Sequence, residues 1–145
     1  MPNYLFFIIF IFICYLLGST PTSIITGRII KGVDIRDHGS GNAGGTNVFR
    51  ILGWKPGLFV IIIDILKGWI PVAILAPKFY LFGPISDLGV VQIISGFAAV
   101  LGHTYTIFAK LKGGKGVGTL GGMIIALFPT VFRFCLLFAF ITLIL

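Results

Sequence analysis

The chain has 145 residues, 57% of them hydrophobic and only 10% charged, where an average soluble domain carries about 25% charged residues. Four Asp, no Glu and eleven Lys or Arg give a net charge of +7, and the apolar residues stand in long blocks, which excludes an ordinary soluble domain. The bases lie in short stretches between those blocks and not along one solvated face, which argues against nucleic acid and for anionic lipid or small anionic substrates.

Residues 4–25 predict the first span, since these 22 residues reach about 33 Å as a helix. Its last third, Gly18-Ser19-Thr20-Pro21-Thr22-Ser23, turns small and polar, and Pro21 predicts a kink. The N-terminus has no basic region before its apolar run, so it reads as a retained span. Residues 28–56 read as a loop carrying Arg28, Lys31, Arg36, Arg50 and Lys55 against Asp34 and Asp37. Residues 57–76 predict the second span, residues 77–87 a short connection, and residues 88–109 the third span. Lys110, Lys112 and Lys115 mark a second basic loop. Residues 117–145 make about 43 Å as one helix and place Pro129 and Arg133 near its middle, so a break over 128–133 is expected, with Arg133 at the outer surface of the membrane. The twelve residues beyond it are too short to cross.

The fold class is therefore all-α, a polytopic transmembrane bundle of about four spans plus part of a fifth, in one membrane domain over residues 1–145. Eight of the eleven bases fall in the two basic loops, which three spans place on the same side. The positive-inside rule makes that side cytoplasmic and puts the N-terminus outside.

Residues 39–47, Gly39-Ser40-Gly41-Asn42-Ala43-Gly44-Gly45-Thr46-Asn47, followed by Arg50, hold the densest chemistry. Glycines at 39, 41, 44 and 45 let successive N–H groups converge on an anion. Ser40, Asn42, Thr46 and Asn47 add polar side chains, and Arg50 a planar fork matched to phosphate. Lys112-Gly113-Gly114-Lys115-Gly116-Val117-Gly118-Thr119 has similar physics, with a helix expected to start near Val117. It is not a Walker A loop: Ala109 stands where the first glycine belongs and Gly116 follows Lys115, so an ATPase is rejected.

His103, near the cytoplasmic end of span three, is a candidate proton acceptor or phosphate donor, or a helix–helix hydrogen bond. Asp64 and Lys67, three apart in span two, read as a neutralising pair more than as direct substrate ligands. Asp34 and Asp37 read as salt-bridge partners of their basic neighbours. Cys14 and Cys135 read as small core residues and not as a disulfide or metal site. No metal-ligand spacing and no Ser-His-Asp order is present, nor is His followed five residues later by Asp, since Ala43 and Phe108 occupy those places.

Taken in order, residues 18–23, Lys31 through Arg36, Gly39 through Arg50, Asp64 with Lys67-Gly68, His103, and Lys112 through Thr119 resemble the bacterial acyl-phosphate:glycerol-3-phosphate acyltransferases, the PlsY family. Two small departures are Gly45 for a usual Ala and Gly118 for a usual Ala. The resemblance implies a seven-helix inner-membrane enzyme of phospholipid biosynthesis. It would move a fatty acyl group from acyl phosphate to the 1-hydroxyl of glycerol-3-phosphate, giving lysophosphatidic acid and phosphate, with no metal, coenzyme A or nucleotide as cofactor. It places Ser40 and Arg50 in the active centre, makes Lys112, Gly113, Gly114, Lys115 and Gly116 the phosphate loop, and leaves the general base as His103 or an oxygen of bound phosphate. Ser40 is expected to donate a hydrogen bond to phosphate and not to form an acyl-enzyme. The family carries a further cytoplasmic region with His, Asn and Glu, so this chain reads as shortened at its C-terminus. The competing readings are a transporter or channel for a phosphorylated solute and an inactive lipid-binding fragment.

Overall fold

The computed structural model describes residues 4–144, with side chains through residue 136. Helix α1 (Tyr4–Ser19) ends where Thr20 and Pro21 interrupt the backbone ladder, and α2 (Thr22–Lys31) resumes immediately and stops at Gly32. Together they form one apolar run of 28 residues, Tyr4–Lys31, with the expected interruption at Pro21. The helix continues six residues past the predicted span end.

The loop read over 28–56 contains structure that its composition hid. A single 3-10 turn, Ile35–Asp37, precedes the glycine run, and a short helix α3 (Gly45–Leu52) follows it. Glycine at the helix start masks α3 from a propensity reading. It folds because Val48 is fully buried and α3 lies closely along the next helix, α4 (Trp54–Ile70). Gly57 of α4 makes the approach possible, because a Cβ there would stand 2.7 Å from the Cα of Phe49.

Helix α4 widens into a π turn at Pro71–Leu75, where the proline has no N–H to give, and closes through α5 (Ala76–Phe79) and a final 3-10 turn. The helical run Trp54–Phe82 is 29 residues long. Asp87 caps the next helix, α6 (Leu88–Thr104), by accepting from the Val90 amide at 3.2 Å. Helix α7 (Val117–Leu127) starts where the sequence places it and has only 11 residues, so it cannot cross alone. At Phe128 the chain turns by 105° into α8 (Pro129–Ile144), with Arg133 exposed beyond the bend. The break falls at the start of the expected window. Among the described residues three runs are thus long and apolar enough to span a membrane, and α7 with α8 forms a bent pair that makes a fourth where the two are counted as one span.

α1 packs along α6, and α7 along α4. Exposed Ile, Leu and Phe side chains line the outer surface of the spans, as expected where lipid replaces water. Cys14 is fully buried in the α1–α6 core, whereas Cys135 is exposed, so only the first is a core residue; both are free thiols.

Candidate active site

Two turns emerge from opposite parts of the sequence and meet at one end of the bundle. The first is built by Asn47. Its Oδ1 accepts from the Ser40 amide at 3.0 Å, and its Nδ2 donates to the carbonyls of Ile35 and His38, both at 3.0 Å. The side chain is 1% exposed, so its amide shapes the turn from inside. Gly39 (φ 60°) and Gly41 (φ 71°) take left-handed conformations around it. The second turn folds back on the end of α6. The amides of Gly113 and Gly114 donate to the carbonyls of Thr104 and His103, at 3.0 and 3.2 Å.

The two turns touch at Gly114. A Cβ there would stand 2.3 Å from His103 Nε2 and 2.6 Å from the Ala43 carbonyl oxygen, so only glycine admits this contact. Arg36 ties the turns together from outside. Its Nη1 donates to the carbonyls of Ala109 and Lys112, at 3.1 and 3.2 Å, while Nε and Nη2 engage the Asp34 carboxylate at 2.9 and 2.7 Å. The Arg36 hydrogen bond holds the Asp34 carboxyl well below the usual carboxylate range, and the same bond raises the guanidinium. Arg28 also reaches Asp34, at 3.4 Å, whereas Lys31 caps the Ile51 carbonyl at 2.7 Å.

A cavity of about 310 Å³ lies where the turns meet. Asn42, Gly44, Gly45 and Thr46 line one wall, Lys115, Gly116, Val117 and Gly118 another, and Ile61, Asp64 and His103 complete it. These walls include the starts of both α3 and α7. Two helix N-termini with open amides and a lysine on one hollow make a strong site for an anion. A second depression of about 450 Å³ lies beside it, lined by Arg36, Asp37, Gly41, Lys110, Lys112 and Gly113.

The expected site residues therefore divide. Asn42, Gly44, Thr46, His103, Lys115 and Gly116 share the first cavity; Gly41, Lys112 and Gly113 line the second; Gly114 stands at the junction. Ser40 and Gly39 are exposed on the first turn and line neither hollow. Arg50 is exposed one helical turn beyond Thr46 on the same face of α3. Asn47 supports the turn and presents no open group to either hollow.

Beneath the cavity lies a charged group buried among the spans. Lys67 Nζ donates to Asp64 Oδ1 at 2.7 Å and to the Thr20 carbonyl at 2.6 Å, at the interruption between α1 and α2. His103 Nδ1 stands 3.7 Å from the same Asp64 oxygen. Asp64, Lys67 and His103 are each at least 93% buried. The Arg36 clamp escaped the sequence, while Asp64, read there as a neutralising partner of Lys67, makes that pair and also lines the cavity wall. Among the described residues no three His, Cys, Asp or Glu side chains gather as a metal site.

Residues 8–145 match the family described as glycerol-3-phosphate acyltransferase. A curated glycerol-3-phosphate acyltransferase of Chlorobium phaeobacteroides is 52% identical over 126 residues, covering 84% of this chain and 54% of that protein. One of Chlorobaculum tepidum is 51% identical over 127 residues, covering 85% and 55%. The chain thus spans about half the length of the curated relatives it matches. Two crystal structures of PlsY, an integral membrane glycerol 3-phosphate acyltransferase, superpose on it. The glycerol 3-phosphate form gives a TM-score of 0.72 at 41% identity, and the lysophosphatidic acid form 0.73 at 40%. Each superposition covers 90% of this chain, and 62% and 61% of the respective solved chains. With its two glycine turns joined over one cationic hollow, and with these matches along nearly its whole length, the chain belongs to the glycerol-3-phosphate acyltransferase family.

Proposed function

We propose that the protein containing this chain transfers a fatty acyl group from acyl phosphate to the 1-hydroxyl of glycerol-3-phosphate, with the reaction centred on the cavity between the two turns. The observation that carries this reading is the convergence of two helix N-termini and Lys115 on one hollow with an apolar wall at Ile61 and Val117. An acyl phosphate needs that combination: amides and a cation for its head, and apolar surface where the tail leaves toward lipid. The basic depression beside it, with Arg36, Lys110 and Lys112, attracts the water-soluble phosphate. The names of the solved relatives, in glycerol 3-phosphate and lysophosphatidic acid forms, agree with this acceptor and product.

In the reaction, the acceptor hydroxyl oxygen bonds to the acyl carbon, and the bond from that carbon to the phosphate oxygen breaks. The hydroxyl proton ends on the departing phosphate. The donor is already activated, so positioning and charge neutralisation suffice and no acyl-enzyme is needed. Lys115 and the first amides of α3 and α7 balance phosphate charge, His103 relays the proton, and Ser40 and Arg50, which line neither hollow, engage a phosphate as the family resemblance implies. In this reading both turns face the cytoplasm and the N-terminus faces outward in the bacterial inner membrane, an orientation that the excess of Lys and Arg beside the turns supports.

The test is phosphate release from acyl phosphate by the purified full-length protein. Release should depend on glycerol-3-phosphate and should be lost in Ser40→Ala and Arg50→Ala while membrane insertion persists. Wild-type turnover in both variants would remove them from the site.

A further inference from the structure

We propose that the buried cluster beneath the reaction cavity holds one internal water molecule, and that this hydrated cluster positions His103 against the second turn. The proposal rests on the acyl-transfer reading for its functional consequence, but not for the water itself.

A small cavity of about 10 Å³ lies between the α1–α2 interruption and the second turn, lined by Ser19, Thr22, Asp64, Lys67, His103 and Gly114, among others. That volume is close to what one water molecule requires, at about 10–15 Å³ for the space open to its centre. The hydroxyls of Ser19 and Thr22 are buried there, at 0% and 8% residue exposure, and neither has a hydrogen-bond partner among the described residues. A hydroxyl left unpaired in such a place is costly, and proteins seldom tolerate two side by side. The same cavity is lined by a carboxylate, an ammonium and an imidazole. A water there has donors and acceptors for all of its own bonds. A dry cavity is expected only where the lining is apolar, and this lining is not.

The position of the cluster gives the water a task. Ser19 and Thr22 flank the interruption between α1 and α2, where Lys67 grips the Thr20 carbonyl and the Thr106 hydroxyl donates to the Ser19 carbonyl. On the far side, Asp64 faces His103 Nδ1 at 3.7 Å, too long for a good direct hydrogen bond. The opposite edge of that ring, Nε2, lies against Gly114, whose amide is held by the His103 carbonyl. A water bonded to both hydroxyls and to the Asp64–His103 pair fixes the ring from behind. It thereby makes Thr22 a positioning residue for the turn that carries Lys115.

Two measurements on the full-length protein test this. A structure at a resolution that reveals ordered water should show one peak within hydrogen-bond distance of both Ser19 Oγ and Thr22 Oγ1; an empty cavity overturns the proposal. Thr22→Val keeps the side-chain shape and deletes the hydroxyl, whereas Thr22→Ser keeps the hydroxyl. The Val variant should lower kcat for acyl transfer about fivefold with KM little changed, and the Ser variant should retain the wild-type value. Full activity in Thr22→Val, or equal loss in both variants, overturns the positioning role. If the wild-type protein transfers no acyl group, the acyl-transfer reading fails while the water is still decided by the structure.

Discussion

Gly114→Ala is the substitution that most sharply probes the joint between the turns. The new Cβ would lie 2.3 Å from His103 Nε2 and 2.6 Å from the Ala43 carbonyl oxygen, where ordinary contact begins at 3.4 Å. The imidazole must therefore retreat by about 1.1 Å and the Ala43 carbonyl of the first turn by about 0.8 Å, the differences between those distances, unless the second turn itself moves away. Neither neighbour yields freely: His103 is 93% buried and Ala43 95% buried. A displacement of about 1 Å in groups that position a substrate costs about 100-fold in rate, which corresponds to about 2.7 kcal/mol of transition-state stabilisation. The assay is glycerol-3-phosphate-dependent phosphate release from acyl phosphate, with thermal unfolding followed in parallel. Gly114→Ala should lose about two orders of magnitude in kcat/KM while remaining folded in the membrane. Turnover within threefold of wild type would refute the contact as a determinant of the site.

Other consequences follow from the same geometry. Asn47→Ala removes three hydrogen bonds from inside the first turn, and should cost about 3 kcal/mol of stability in denaturant unfolding, at about 1 kcal/mol per bond. Lys67→Met strands the buried Asp64 carboxylate, so it should destabilise by about 3–5 kcal/mol, and by more than the double variant Asp64→Leu/Lys67→Met does; a worse double variant would contradict the pairing. Asp34 has a depressed folded-state pKa, so the stability its ionised carboxylate contributes is complete above the unfolded value of about 3.9 and is lost as pH falls through the lower folded value. The stability gap between wild type and Asp34→Asn should therefore stay constant from pH 8 to about pH 5 and close only in stronger acid, as acid unfolding curves of the two proteins would reveal.

The spans and the two turns were legible because each rests on a local signal: apolar length, or glycine beside cations. The start of α7 at Val117 and the turn at Phe128 followed from the same signals, through a glycine-rich approach and a proline with an arginine. What was not legible depends on contacts across the chain. Arg36 clamps carbonyls 73 and 76 positions away, so beside two aspartates it reads only as a surface ion pair. Asn47 shows the limit of composition: an amide in a glycine run serves equally as a ligand or as the scaffold that bends the run, and here it is buried with its amide bonded to the run's own backbone. The helix α3 was hidden because its glycine start is a poor helix former and its stability comes from docking on α4.

Acyl transfer as proposed needs the two turns to share one cavity, and a crosslink between them tests this directly. In full-length protein freed of Cys14 and Cys135, Asn42→Cys and Lys115→Cys place thiols on two walls of the same hollow. A short bifunctional thiol reagent should join them in native membranes, with acyl phosphate plus glycerol-3-phosphate protecting against the reaction. Failure to crosslink when each thiol is separately reactive would contradict the shared cavity, and crosslinking unaffected by both substrates would contradict its being the place of reaction.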